Sequence, residues 1–115
     1  MTTPATKAKL LALYNVPEAD RELFDKQYFE SHIPLAKKMP GLRGMAICKK
    51  PKNLMGGQSP YYMIAELTFD DMAALKAALS SPEGQEAGNN IMSFASNYIT
   101  MLSSEVEVTE GAVVG

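Results

Sequence analysis

Four short segments of the chain alternate apolar and polar residues or are apolar throughout, as β-strands do. They span residues 9–16, 42–50, 61–69 and 99–108. In the first segment Leu10, Ala12 and Tyr14 fall on one face, whereas Leu11 and Leu13 fall on the other. Because both faces of this segment are apolar, we expect both faces of the sheet to be covered.

The segment YFESHIPLAKKMPGL, residues 28–42, combines a helical pattern with an internal proline. The pattern begins after Asp20, which is a predicted N-cap, and places Tyr28 on its apolar stripe. Pro34 lacks an N–H group and crowds the preceding turn, so we expect the helix to kink or restart near residues 31–32. A kink there would affect the only histidine of the chain, His32.

Two more helical segments separate the third and fourth predicted strands. The first, residues 72–79, is rich in alanine and leucine and follows two aspartates, either of which could be its N-cap. The second starts at the sequence SPEGQ, where Ser81 is the predicted cap and a proline takes the first helical position. Gly84 and Gly88 weaken this second helix.

The order of these elements, βαββαβ, predicts an α+β ferredoxin-like fold with a four-stranded antiparallel sheet. In such a fold the helices cover only one face of the sheet. An apolar outer face would form a patch larger than soluble monomers usually expose. We therefore expect a homodimer in which two sheets stack against each other, because no spare helix remains to cover the outer face.

Composition excludes several classes of function. The chain has 115 residues, 46% of them hydrophobic, and a net charge of −2 without a block of like charge, so nucleic acid and membrane surfaces are not expected partners. The single cysteine, Cys48, cannot form an internal disulfide, which favours a cytoplasmic location. With one histidine and one cysteine, a metal centre is not expected.

The motifs LLALYNVPEA, HIPLAKKMPGLRG and SPEGQ, in this order, resemble the EthD-like family, which is named for ethyl tert-butyl ether degradation. The resemblance covers about residues 7–108. It implies membership of the dimeric α/β-barrel proteins, in which two ferredoxin-like subunits pack sheet against sheet. We expect one such domain over 1–115, with flexible tails at 1–6 and 109–115.

This sequence departs from the family pattern at one position. An acidic residue often follows SPEGQ in that pattern, shortly before a phenylalanine, and Asn90 stands at the matching place here. An asparagine can orient an imidazole through a hydrogen bond. It cannot stabilise an imidazolium as a carboxylate does.

His32, Tyr14 and Tyr28 are the candidate catalytic residues. His32 is the one side chain whose ordinary pKa lies near neutrality, and its pKa would be lowered if Ser31 capped a new helical turn there. Tyr14 and Tyr28 could donate a hydrogen bond to a developing oxyanion. Each residue also has a structural interpretation: the histidine could satisfy backbone groups freed by the proline, and the tyrosines could simply pack.

We expect an apolar or aromatic small molecule as ligand and no cofactor. Some relatives in the wider dimeric α/β-barrel group resemble cyclases, isomerases or decarboxylases, so one hypothesis is an acid–base enzyme with a pocket near His32. The other hypothesis is a non-catalytic ligand-binding or accessory protein of a degradation pathway. The predicted pocket residues, which could equally be core residues, are Phe29, Leu35, Met39, Met63, Asn90, Met92 and Phe94.

Overall fold

The computed structural model describes residues 5–108, and side chains within 7–107. Its strands are β1 (Ala5–Tyr14), β2 (Gly44–Lys49), β3 (Met63–Phe69) and β4 (Ile99–Val108). Its helices are α1 (Arg21–Gln27), α2 (Ile33–Ala36), α3 (Met72–Ser80) and α4 (Pro82–Ala95), with a short 3₁₀ turn at Glu18–Asp20 and a π-helical turn at Tyr28–His32. Among the described residues, no helix has the length and apolar character that a membrane crossing requires.

All four strands pair in one antiparallel sheet, in the order β2-β3-β1-β4. The central strand β1 pairs with β3 and β4, so that Ala12 lies between Ala65 and Met101. Strand order and element order together define the ferredoxin-like α+β fold. The predicted fold class is therefore confirmed.

The helices cover one face of the sheet, and the core lies between them. Alternate residues of β1 and β3 point into this core and are buried, among them Tyr14, Met63 and Phe69. On α4 the residues facing inward recur every three or four positions, as expected for a helix with one buried face.

The outer face of the sheet is less apolar than the sequence pattern predicted. Leu11, Leu13 and Ile64 are only half-buried there, and Leu102 is 50% exposed. Beside them, however, Lys9 Nζ donates to Glu66 Oε1 at 2.8 Å, so an ion pair crosses the same face. The face is thus amphipathic, with an apolar part and a polar part.

Helix caps follow the predictions at two of three places. Asp71 accepts a hydrogen bond from the Ala74 N–H at 2.7 Å, and Ser81 caps α4. Asp20 does stand at the N-cap of α1, but its side chain makes no capping bond. Its carboxylate instead accepts a hydrogen bond from the Tyr98 hydroxyl at 2.6 Å, which ties α1 to the start of β4.

The strand boundaries shift at three of the four segments. β1 begins at Ala5 rather than at residue 9, because its ladder with β4 continues to the pair Ala5 and Val108. Residues 5 and 6, which were predicted to belong to a flexible tail, are therefore part of this strand. The other predicted tail residues, 1–4 and 109–115, lie outside the described residues.

Candidate functional site

His32 ends the π-helical turn that interrupts the first helical region. Pro34 has no N–H group for the carbonyl of Glu30, and the helix adapts by widening: the Ile33 N–H reaches the Tyr28 carbonyl, five residues earlier. The predicted break near residues 31–32 is thus a wider turn, and the helix then continues as α2. This turn brings the His32 and Tyr28 rings to 5.2 Å between centroids.

A hydrogen-bonded chain fixes the His32 ring. His32 Nδ1 lies 3.2 Å from Asn90 Oδ1, and Asn90 Nδ2 donates to Ser31 Oγ at 3.0 Å. Because the amide oxygen can only accept, the proton of the neutral imidazole is assigned to Nδ1. The basic lone pair then belongs to Nε2.

The pKa of His32 is lowered, but for a different reason from the one expected. The sequence suggested a new helix start at Ser31, whereas Ser31 caps nothing and bonds to Asn90 instead. Burial is the main cause, because an imidazolium loses its hydration in a site that is only 8% exposed, and the hydrogen bond to Asn90 opposes this shift only in part. The neutral ring is therefore favoured at neutral pH.

Tyr14 and Tyr28 lie beside this histidine. Tyr14 ends β1, and its ring contacts the Tyr28 ring edge-on at 5.4 Å between centroids. The Tyr28 hydroxyl is buried and has no hydrogen-bond partner among the described residues. Burial is the main cause that raises the pKa of both phenols, that of Tyr28 to about 12. The two hydroxyls are also close enough to influence each other: Tyr28 raises the pKa of Tyr14 further, whereas Tyr14 lowers that of Tyr28, and both hydroxyls stay protonated.

The three side chains line one cavity between the sheet and the helices, which we call the central cavity. Its volume is about 40 Å³, enough for one or two water molecules. Apolar residues of β1, β3, β4 and α4 form most of the wall. Leu79 and Met101, which are 37% and 45% exposed, belong to the lining and mark the side on which the cavity meets solvent.

Met39 is the one predicted pocket residue, apart from the catalytic candidates, that lines the central cavity. Asn90 reaches the cavity indirectly, through His32. Met63 is buried in the core but lines a different cavity, and Leu35 is only half-buried on α2.

The remaining predicted pocket residues, Phe29, Met92 and Phe94, lie away from the central cavity. Phe29 is 38% exposed, with the Lys49 ammonium 5.2 Å from its ring centroid. Met92 is 49% exposed, because it lies on the solvent side of α4. Phe94 packs against Phe24 at 5.8 Å between ring centroids, at another part of the helix surface.

The sequence analysis did not assign the small residues of α4 to the cavity wall. Gly84, Ala87, Gly88 and Ile91 all line the central cavity. Their spacing of three and four residues places them on one helix face, and this periodicity was visible in the sequence. Gly84 and Gly88 were interpreted only as residues that weaken the helix.

Fold and site together define a class of protein: a ferredoxin-like α+β chain with a histidine and two tyrosines around a cavity between sheet and helices. Residues 16–97 match the EthD domain family. The chain belongs to this family, as the order of its motifs indicated.

Similar proteins agree with this assignment. The chain is 35% identical over 99 residues, 86% of its length, to an uncharacterised 11.0 kDa protein of the thcB–thcC intergenic region of Rhodococcus erythropolis, of which the match covers 94%. A solved EthD family protein from Bacillus halodurans is 38% identical, with a TM-score of 0.80 over 87% of this chain and 98% of that one. A dimeric ferredoxin-like protein from Jannaschia is 22% identical, with a TM-score of 0.60 over 88% and 99% of the two chains, and shares the fold.

No group of three or more histidine, cysteine, aspartate or glutamate side chains is arranged to hold a metal ion within the part of the chain that the structure describes. The polar groups of the central cavity are one imidazole and two phenols. Their chemistry is that of a proton acceptor beside two hydrogen-bond donors.

Proposed function

We propose that this chain is a small enzyme that transfers a proton on an apolar metabolite bound in the central cavity. The observation that carries the proposal is the buried, unpartnered hydroxyl of Tyr28. An unsatisfied buried hydroxyl costs about 1–3 kcal/mol, and folded proteins rarely retain one without a role. A carbonyl oxygen of a bound substrate would accept its hydrogen bond.

His32 is the proposed general base. Its Nδ1 proton is donated to Asn90, its Nε2 carries the free lone pair, and burial keeps the pKa of the ring low. Because the phenols of Tyr14 and Tyr28 stay protonated, they are suited to stabilise the enolate that forms when His32 removes a proton. Cyclisations and isomerisations that begin with removal of a proton next to a carbonyl, and decarboxylations that leave an enolate, fit this arrangement.

The volume of the central cavity limits how much of a ligand it can hold. About 40 Å³ holds only the reacting end of a metabolite, so the rest must displace wall residues or lie outside. Met39 and Met101, both in the lining, are flexible side chains that can move aside for an apolar ligand. We expect ligand entry beside Met101 and Leu79, where the lining is exposed to solvent.

We further propose that the protein acts as a cytoplasmic homodimer, with the outer faces of two sheets stacked in an α/β barrel. The exposed Leu102 and the half-buried Leu11, Leu13 and Ile64 would be covered by the partner's sheet. The Jannaschia protein of the same fold is dimeric, which supports a homodimer. The central cavity lies on the opposite face, so each subunit would keep a cavity of its own.

Deuterium exchange into benzoylacetone, an aromatic 1,3-diketone with an acidic C–H bond, tests the proposed chemistry. We expect the wild-type protein in D₂O to accelerate exchange, and His32→Ala to lose about 10²–10⁴-fold in rate, the usual value of one general base. The matched control is Tyr98→Phe, which removes a surface hydroxyl bonded to Asp20 and should leave the rate unchanged. Equal exchange rates for wild type and His32→Ala would contradict the proposal.

A second function, non-catalytic binding of an apolar ligand in an accessory protein of a degradation pathway, is favoured by one observation. The partner of His32 is the neutral amide of Asn90, which does not stabilise an imidazolium. If this function holds, native mass spectrometry should find the same co-purified ligand on wild type and on His32→Ala. No diketone exchange should then depend on His32.

A further inference from the structure

A second cavity, which shares no lining residue with the central cavity, lies at the loop between β2 and β3, and we call it the surface cleft. Its volume is about 610 Å³, within the range of roughly 300–1,000 Å³ that small-molecule sites occupy. Its lining includes Arg21, Lys50 and Lys52, against one acidic residue, Glu18. Positive charge is thus concentrated here, although the chain as a whole carries a net charge of −2.

Arg21 is held in place by contacts that leave its two terminal amino groups free. Its Nε donates to the Val16 carbonyl at 2.9 Å, and its guanidinium carbon lies 4.5 Å from the centroid of the Tyr62 ring. Within residues 7–107, no side chain or carbonyl accepts a hydrogen bond from its terminal amino groups. A stacked guanidinium with free amino groups is pre-organised for the paired oxygens of a carboxylate or phosphate.

Two hydrogen bonds hold Tyr62 in place, so the ring under the Arg21 guanidinium is rigid. The Tyr62 hydroxyl donates to Asp25 Oδ2 at 2.6 Å, and its N–H donates to the Tyr14 carbonyl at 2.8 Å. One oxygen of the Asp25 carboxylate therefore binds Tyr62, and Asp25 forms no ion pair with Arg21 among the described residues.

Lys50 provides the second argument, because its backbone is strained. It is the one non-glycine residue with positive φ, at +47°, within the described residues. A left-handed conformation costs a residue with a side chain about 1–2 kcal/mol, and such strain is concentrated at functional sites. Its N–H donates to the Tyr62 carbonyl at 2.8 Å, so Lys50 is bound to the same tyrosine on which Arg21 stacks.

We propose that the surface cleft binds an anionic small molecule through carboxylate or phosphate oxygens, with Arg21 as the planar contact and Lys50 and Lys52 as further positive charges. This site is separate from the central cavity and does not depend on its proposed chemistry. A neighbouring cavity of about 220 Å³ is lined by Lys49 and Lys50 and also by Asp25, so two positive charges and one negative charge lie next to the surface cleft.

An NMR titration of the ¹⁵N-labelled full chain tests the proposal, with inorganic phosphate in one arm, benzoate in another and sodium chloride of equal ionic strength as reference. We expect saturable shifts of the Arg21 side-chain Nε–H and of backbone amides in residues 50–62. Saturation by phosphate alone assigns the site to phosphoryl groups, and saturation by benzoate assigns it to carboxylates.

Two variants and one control make the test specific. Arg21→Met keeps an apolar side chain over Tyr62 and should weaken binding at least tenfold, while Lys52→Ala, an exposed substitution that leaves the fold intact, should weaken it severalfold. The control is Arg43→Met, which removes an arginine already paired with Asp70 and should change nothing. Shifts that match those of sodium chloride, or equal affinities in wild type and both cleft variants, would overturn the proposal.

Discussion

The surface cleft is much larger than the central cavity, but the central cavity holds the candidate catalytic groups. The cleft is about 610 Å³ and lined by charged loop residues, whereas the cavity is about 40 Å³ and mostly apolar. The candidate base and the unpartnered hydroxyl nevertheless lie in the smaller one. Volume is therefore a guide to what a site can hold, whereas buried polar groups are the guide to what it can do.

One aromatic residue separates the two sites. The Phe24 ring stacks on Tyr28 at 5.5 Å and meets Tyr62 edge-on at 6.2 Å between centroids. Phe24 thus lies between a tyrosine of each site without lining either cavity, and the two tyrosines differ in their hydrogen bonds. Paired substitutions on the two sides of Phe24 therefore separate the properties of the central cavity from those of the surface cleft.

The largest expected effect on stability concerns the two glycines of the cavity wall. A Cβ at Gly84 would lie 2.0 Å from the Ala78 carbonyl oxygen, so Gly84→Ala must push α3 and α4 apart. We expect a loss of about 2–3 kcal/mol in the free energy of unfolding. A Cβ added at Gly88 would meet open space instead, so Gly88→Ala should stabilise the protein by up to about 1 kcal/mol.

Urea denaturation of both variants measures this contrast. A Gly84→Ala variant as stable as wild type would show that the helices pack less closely there than the structure indicates, and a destabilised Gly88→Ala would show that Gly88 lacks free space. A bulkier substitution, Gly88→Leu, extends the test to function, because its side chain would enter the central cavity. It should abolish diketone exchange while phosphate binding at the surface cleft persists.

The next effect compares the tyrosines on the two sides of Phe24. Tyr28→Phe removes a buried hydroxyl that has no partner, so the free protein should gain about 1 kcal/mol in stability and lose exchange activity. Tyr62→Phe removes the donor to Asp25 and should lose about 1–2 kcal/mol instead. Thermal unfolding of both variants tests the opposite signs; a destabilised Tyr28→Phe would mean that its hydroxyl is already satisfied.

The sequence predicted the fold well because strands and helices leave periodic patterns. Alternation along β1 assigned Leu10 and Leu11 to opposite faces, and SPEGQ marked the start of α4 at Ser81. The site was harder to predict, since contacts such as that between His32 and Asn90 join residues 58 positions apart. The resemblance to a family suggested this contact; periodicity could not.

The pocket residues were least predictable, because helical phase is sensitive to one extra residue in a turn. The π-helical turn at Tyr28–His32 changes the direction of every later side chain in that helix, and an ideal helical projection does not include it. Leu35, a predicted pocket residue that follows this turn, is half-buried on α2 and does not line the central cavity. The lysine and arginine cluster of the surface cleft also escaped prediction, since Arg21 and Lys50 come together only through Tyr62.

A smaller effect is expected from pH. Burial lowers the pKa of His32 in the folded state below its ordinary value of 6.5, so the unfolded chain binds the proton more tightly. The contribution of His32 to stability is therefore fully present above about pH 6.5 and is lost as the pH falls below it. Urea midpoints between pH 7.5 and 5.5 should fall more steeply for wild type than for His32→Gln; parallel curves would show that the ring is hydrated.

The smallest expected effect concerns the strain in the surface cleft. Lys50→Gly relieves the left-handed backbone at φ +47°, but glycine also gains entropy in the unfolded chain, so the net gain in stability should be at most about 1 kcal/mol. The control is Lys52→Gly, at a residue without positive φ, which should gain nothing. Lys50→Gly should also bind phosphate several times more weakly, because the lysine side chain is lost. A destabilised Lys50→Gly would show that the backbone there is not strained.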